Sequence, residues 1–457
     1  MTSHRILLAI LAMIAGIARA NAGAVEIAVF NADVTPPIGA ALAGGVITPV
    51  ESVDDPLSAR GIILWPGNGE KPIVLCAVDW IGIANEGQDE WKAMLAEAVG
   101  TDPSRTTVHT LHQHDAPVYD PTTEKLLAEH GLSGTMYTPA AAKAAIERTA
   151  AAVREAVKTR TPVTHIGVGE VEVHEFASNR RVMGPDGKVK AIRWSATVDA
   201  AVRAEPVGLI DPMVKVISLW NGDAPVAVLS YYATHPQSHY GKGRVSCDTV
   251  GLARAEREKA LPGVPHIHFD GAGGNVTAGK WNDGAPENRP VLVQKLTDGM
   301  KRAWEATKKS ALTSADIAWT VHPALLPPRE EVTAKEQWPV LKDTNAPWRD
   351  RLRAAEELAW LSRAPTPIPL TALKLGPVRL LHLPGESFVE YQLAAQAMMP
   401  EATVCVAAYG DYGMGYIGTE KSYGEGGYET QVYTSRTSPK VEGTLTAAIK
   451  ELLTKTP

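Results

Sequence analysis

Short apolar runs bounded by turn residues alternate along the chain with longer stretches of helical periodicity. Ile62–Trp65, Ile73–Val78, Thr106–Leu111, Val214–Leu219, Val226–Tyr232, Ile317–Val321, Val378–Leu383 and Thr403–Ala407 predict strands. Gln88–Val99, Ala140–Lys158, Val250–Ala260, Val291–Lys308 and Arg349–Ser362 predict helices. The second helix carries the clearest start signal, with Thr138 as a capping residue, Pro139 in the first turn and an Ala-rich body. This alternation predicts an α/β architecture of mixed β-sheets flanked by helices. No internal repeat and no long linker interrupts it, so we expect one large domain. The most loop-like stretch, 365–370, is expected to join a helix to a strand.

Polar motifs follow the apolar runs. Asp79 comes after 73–78, His112 and His114 after 106–111, His235 after 226–232, and Glu386 after 378–383. In α/β folds ligands bind beyond the carboxyl ends of strands, so parallel strands would bring these positions to one rim.

The chain start changes the picture at one end only. His4 and Arg5 precede the apolar run Ile6–Ile17 and the small-x-small pattern Ala20-Asn21-Ala22, which together predict a secretory signal over residues 1–22. That run falls short of the roughly 20 apolar residues a bilayer span needs. A retained anchor is the alternative; cleavage predicts an exported protein, periplasmic or secreted, with no transmembrane segment. The net charge of −6 and the lack of a long Lys/Arg block exclude a nucleic-acid partner. Three widely spaced cysteines, Cys76, Cys247 and Cys405, allow at most one internal disulfide, and without a CxxC they exclude a structural thiolate zinc site.

The chemistry lies in four segments. In His112-Gln113-His114-Asp115, an extended backbone would aim both imidazoles to one side. One would be a metal ligand and the other a second ligand or a proton shuttle, with Asp115 orienting a ring; a solvated polar loop is the plain alternative. His235 precedes Pro236, which restricts it to extended conformations, though a turn histidine fits as well. Glu386 stands at a strand-to-helix junction, where capping is the ordinary role. Tyr412, Tyr416, Tyr423 and Tyr428 lie among glycines between residues 411 and 429, as a pocket wall of phenol donors or as anchoring rings. Two histidines and a carboxylate form a familiar catalytic zinc set.

In this order, the segments resemble the neutral/alkaline (non-lysosomal) ceramidases. Asn31 to Gly39 (NADVTPPIG), Asp55 to Gly61 (DPLSARG), His112 to Pro117 (HQHDAP), Asn179-Arg180, Thr234-His235-Pro236, Leu383 to Glu386 (LPGE) and Tyr416 to Tyr423 with Tyr428-Glu429 are similar to that family's motifs. The resemblance implies Zn2+ held by His112, His235, Glu386 and Tyr416, with His114 either behind the ligands or as the acid/base histidine. It further implies that Arg180 and Tyr428 lie in the substrate pocket, as oxyanion donors. Thr277 stands near the place of a family serine, in Gly274-Asn275-Val276-Thr277, where the motif's other residues differ. Asp115-Ala116-Pro117 also departs, adding a charge. No counterpart of the family's C-terminal β-sandwich is expected within residues 23–457.

The resemblance therefore implies hydrolysis of an amide by a zinc-bound hydroxide, on a small-molecule or lipid-like N-acyl substrate. The alternatives are an ester, lactone or sugar-linked substrate on the same scaffold, or a zinc-binding protein without catalysis. Trp80, Trp281 and His239 are further expected candidates for the pocket.

Overall fold

The structure, a computed structural model, describes residues 23–455. The expected signal segment, 1–22, lies outside the described residues.

Among the described residues three larger sheets, accompanied by five two-stranded ones, build the molecule, and the three follow one another along the chain. The first holds β1 (Glu26–Asp33), β2 (Ser58–Trp65), β3 (Ile73–Val78), β4 (Thr106–Thr110) and the short β5 (Thr161–Pro162), in the order β4-β3-β2-β1-β5. The second holds β6 (His165–Glu172), β7 (Met213–Asn221), β8 (Ala224–Tyr232), β9 (His266–Asp270) and β10 (Lys308–Ala311), in the order β9-β8-β7-β6-β10. The third runs β11-β12-β13-β14, formed by Ile317–Ala324, Ile368–Leu375, Val378–His382 and Thr403–Ala407. Every predicted strand is present, and mixed sheets flanked by helices are the observed class.

Each sheet pairs antiparallel except at one edge. There β4 runs parallel to β3, β9 to β8, and β14 to β13. Those edges meet at their carboxyl ends. The Thr110 N–H donates to the Tyr409 carbonyl at 3.0 Å, and the Ala408 N–H donates to the Asp270 carbonyl at 2.9 Å. The parallel arrangement expected for the motif-bearing strands is therefore present in each sheet, and the motifs leave the strand ends at this junction.

Burial explains the strand patterns. Ile62 and Leu75 of the first sheet share one core with Ile217 and Leu229 of the second and Leu380 and Cys405 of the third. Their neighbours Ile63 and Cys76 face the opposite way, onto Trp91 and Leu95 of α1 (Glu86–Val99) and Val153 of α2 (Pro139–Ala156). Strands covered on both faces read as continuous apolar runs. The third sheet covers its outer face with Tyr391 of α6 (Val389–Met398) and Leu445 of α7 (Val441–Lys455), while α3 (Asp248–Ala260), α4 (Asn288–Glu305) and α5 (Trp348–Arg363) complete the shell. Thr138 does precede α2 as its cap residue, but its side chain makes no capping bond. Residues 365–370 link α5 to β12, with Ile368 to Leu370 already inside the strand. All three cysteines are buried and unpaired. No helix among the described residues is long and apolar enough to cross a membrane.

Candidate metal centre

The loop after β4 turns sharply at His112, whose φ of 57° is left-handed. Such a backbone costs a non-glycine residue on the order of 1–3 kcal/mol and gathers at functional sites. His112 Nδ1 donates to the Ile81 carbonyl at 2.9 Å, and His235 Nδ1 donates to the Gly273 carbonyl at 2.7 Å. A carbonyl oxygen only accepts, so each ring carries a proton on Nδ1, which leaves Nε2 as the nitrogen that can ligate a metal.

Both Nε2 atoms meet one carboxylate. Glu386 Oε2 lies 2.9 Å from His235 Nε2 and 3.2 Å from His112 Nε2. Glu386 is held there by a short parallel ladder that pairs it with Tyr416. The Gly274 backbone packs so close that a Cβ would sit 2.2 Å from the Glu386 carbonyl oxygen. The Tyr416 hydroxyl is 3.3 Å from His235 Nε2 and accepts from Arg180 Nη1 at 3.1 Å. His114 is half-buried, its Nε2 has no hydrogen-bond partner, and its ligand nitrogen lies within 4.8 Å of those of His112 and His235.

A divalent cation fits this set. Burial pulls His235 below the ordinary imidazole value despite the carboxylate beside it, so the ring is neutral at pH 7. Burial opposes ionisation of Glu386, yet His112 and His235 outweigh it and hold the carboxyl well below its usual range. A neutral imidazole and an ionised carboxylate are the ligand-ready forms. Four ligands at about 2.0–2.1 Å in a tetrahedron lie roughly 3.3 Å apart, close to the spacings seen here.

Around the cluster, Arg180 Nε pairs with Glu429 at 3.0 Å. Burial works against that guanidinium's charge, but Tyr416, Glu429 and Glu386 outweigh it and raise its pKa. Burial pushes the Tyr416 phenol well above its ordinary value, with Arg180 pulling the other way. Tyr412 donates to Glu386 Oε1 at 2.7 Å, and Tyr409 stacks on His112 with centroids 4.7 Å apart. Sequence reasoning had put Tyr412 only on a general phenol wall and had missed Tyr409.

A cavity of about 870 Å³ opens beside the cluster, lined by His114, Arg180, Tyr416 and Tyr428 among others. His239 also lines it and bonds Asp115 at 3.2 Å, so the ring that Asp115 orients is His239. Trp194 and Tyr240 line the cavity too, and sequence reasoning missed both. Trp80 instead lies in the core, donating to the Val34 carbonyl, and Trp281 packs against the central core. Thr277 is fully buried, with its hydroxyl donating to the Arg193 carbonyl and accepting from the Gly279 N–H. Tyr423 bonds Ser435 and Thr437, away from the cavity lining. Asp79 forms a two-pronged pair with Arg254 at 2.8 and 2.9 Å, and accepts from Gln113.

No protein-family model matches the chain, and no curated protein matches it in sequence. Among solved structures, the neutral ceramidase of Pseudomonas aeruginosa superposes with a TM-score of 0.67 at 15% identity, covering 95% of this chain and 75% of that one. A ceramidase complexed with C2 superposes with a TM-score of 0.68 at 14% identity, covering 95% and 76%. The chain has the fold of the neutral ceramidases.

Proposed function

We propose that the protein is an exported zinc hydrolase that cleaves the amide bond of an N-acyl compound. The observation that carries this reading is the meeting of His112 and His235 Nε2 on one Glu386 oxygen at 3.2 and 2.9 Å, beside an open cavity. His112, His235 and Glu386 would hold the ion, with Tyr416 as the fourth group. Zinc there would supply Lewis acidity, polarising a carbonyl and lowering the pKa of water toward about 7.

The chain supplies the rest. Arg180, fixed between Tyr416 and Glu429, and Tyr428 on the cavity wall are the donors for a carbonyl oxygen gaining negative charge. Removing one such donor typically costs about 10² to 10³ in kcat. His114 accepts a proton from the attacking water at its unpartnered Nε2 and returns it to the departing nitrogen, a contribution of roughly 10² to 10⁴.

The test joins metal analysis of purified protein to hydrolysis of N-acyl substrates. Stoichiometric zinc is expected in the wild type, and loss of both zinc and turnover in Glu386→Gln and His235→Ala. Undiminished hydrolysis after exhaustive chelation would end this reading.

A further inference from the structure

The cavity wall contains no leucine, isoleucine, valine, methionine or phenylalanine among the described residues. Its apolar surface comes chiefly from flat rings. Trp194 packs edge-on against Tyr428 with centroids 5.1 Å apart, and Tyr240 stands 5.4 Å from His114. Trp194 and Tyr240 keep 46% and 45% of their surface exposed, and the Arg180 guanidinium lies over the Trp194 ring at 5.4 Å. Between them stand Ser195, Gln237 and Ser238.

Most of the charge on this wall is paired, with Arg180 held by Glu429 at 3.0 Å. Arg180, Lys242, Arg244 and Arg289 oppose the single carboxylate Asp54, in a protein whose net charge is −6. Asp54 is already engaged by Arg244 at 2.8 Å, and Asp55 engages Arg289 at 2.7 Å. Arg289 Nε is buried without an acceptor, and Lys242 has no carboxylate partner among the described residues. The unpaired Lys242 ammonium beside Arg289 attracts an anion to that place.

Resting on the hydrolase reading above, we propose that the substrate is a short-chain N-acyl compound with a ring and an anionic group, of the acidic amino-sugar kind. The ring stacks against Trp194 and Tyr240, and the anion lies at Lys242 and Arg289. Burying each methylene of a fatty chain against aliphatic side chains gains roughly fourfold in affinity. A wall of polar groups and ring faces offers little of that gain to a long chain.

Calorimetric titration of the zinc-supplemented protein tests this without requiring turnover. The probes are N-acetylglucosamine 6-sulfate, N-acetylglucosamine 6-phosphate, N-acetylmuramic acid, uncharged N-acetylglucosamine and micellar N-palmitoylsphingosine. At least one acidic sugar is expected to bind ten or more times tighter than the uncharged one, an estimate of the order a desolvated charge pair provides. The three acidic probes distinguish sulfate, phosphate and carboxylate. The acidic-to-neutral ratio should collapse toward unity in Lys242→Ala and Arg289→Ala, and should fall with rising salt. Equal binding of charged and uncharged sugars, or tightest binding of N-palmitoylsphingosine, would overturn the proposal. Zinc content and hydrolysis, measured separately, report on the hydrolase reading.

Discussion

Glu386 divides its two oxygens between different tasks. Oε2 faces His112 and His235, while Oε1 accepts from the Tyr412 hydroxyl at 2.7 Å. Groups that hold a ligand in place typically govern about 10- to 100-fold in metal affinity. Tyr412→Phe should therefore weaken zinc binding by about tenfold or more, read by competition with a chromophoric chelator, while circular dichroism stays unchanged. Unaltered affinity would show that the short ladder with Tyr416 positions Glu386 unaided. His112 and His235 were legible in the sequence because each follows an apolar run, and Pro236 restricts His235. The part played by Tyr412 was not, since it depends on which oxygen of a distant carboxylate turns toward the ring. Trp194 escaped notice for a similar reason, since nothing near it in the chain marks a cavity wall.

Among the elements, apolar content decided what could be read. β3 and β14 are buried along nearly their whole length and were plain as runs. β6 carries Gly167 and Gly169, β9 carries His266 and His268, and β12 begins beside Pro369, so the local pattern of each was diluted. The glycines in β6 have a packing cause, because a Cβ on Gly169 would lie 1.9 Å from the Ala303 carbonyl of α4. Asp79 shows a motif residue working between elements. It ties β2, through Ser58, to α3, through Arg254, with both members of the ion pair buried. Burial opposes its ionisation, but Arg254 outweighs this and lowers its pKa. A depressed carboxyl stabilises the fold fully above its unfolded value, about 3.9, and loses that contribution as pH falls through the lower folded value. Asp79→Asn should cost about 3–5 kcal/mol near neutrality and flatten the acid limb of the stability curve, both measurable by urea unfolding across pH. A variant as stable as wild type at pH 7 would show that Ser58 holds Arg254 adequately without the charge.

For the whole molecule, the run of strands and helices announced an α/β fold, but the meeting of three sheet edges had no local signature. Bonds such as Ala408 N–H to the Asp270 carbonyl join segments 138 residues apart (408 − 270), beyond any window of periodicity. On the proposed ligand set, His112 comes from the first sheet's loop, His235 from the second's and Glu386 from the third's. A zinc ion there would bind the folded state alone, adding about 2.7 kcal/mol when free zinc is about 100 times its Kd. Differential scanning calorimetry should therefore show Tm falling by several degrees on chelation and recovering on zinc addition. His235→Ala should show no such response, and a zinc-insensitive Tm in the wild type would contradict the site.

Because each sheet sends at least one proposed ligand to the junction, ion capture can serve as a clock for folding. Cobalt(II) in place of zinc would stay nearly colourless until all three carboxyl-terminal strand ends had arrived. Its visible absorbance during refolding would then time the last docking event, and cutting the chain between β10 and β11 would make that event bimolecular.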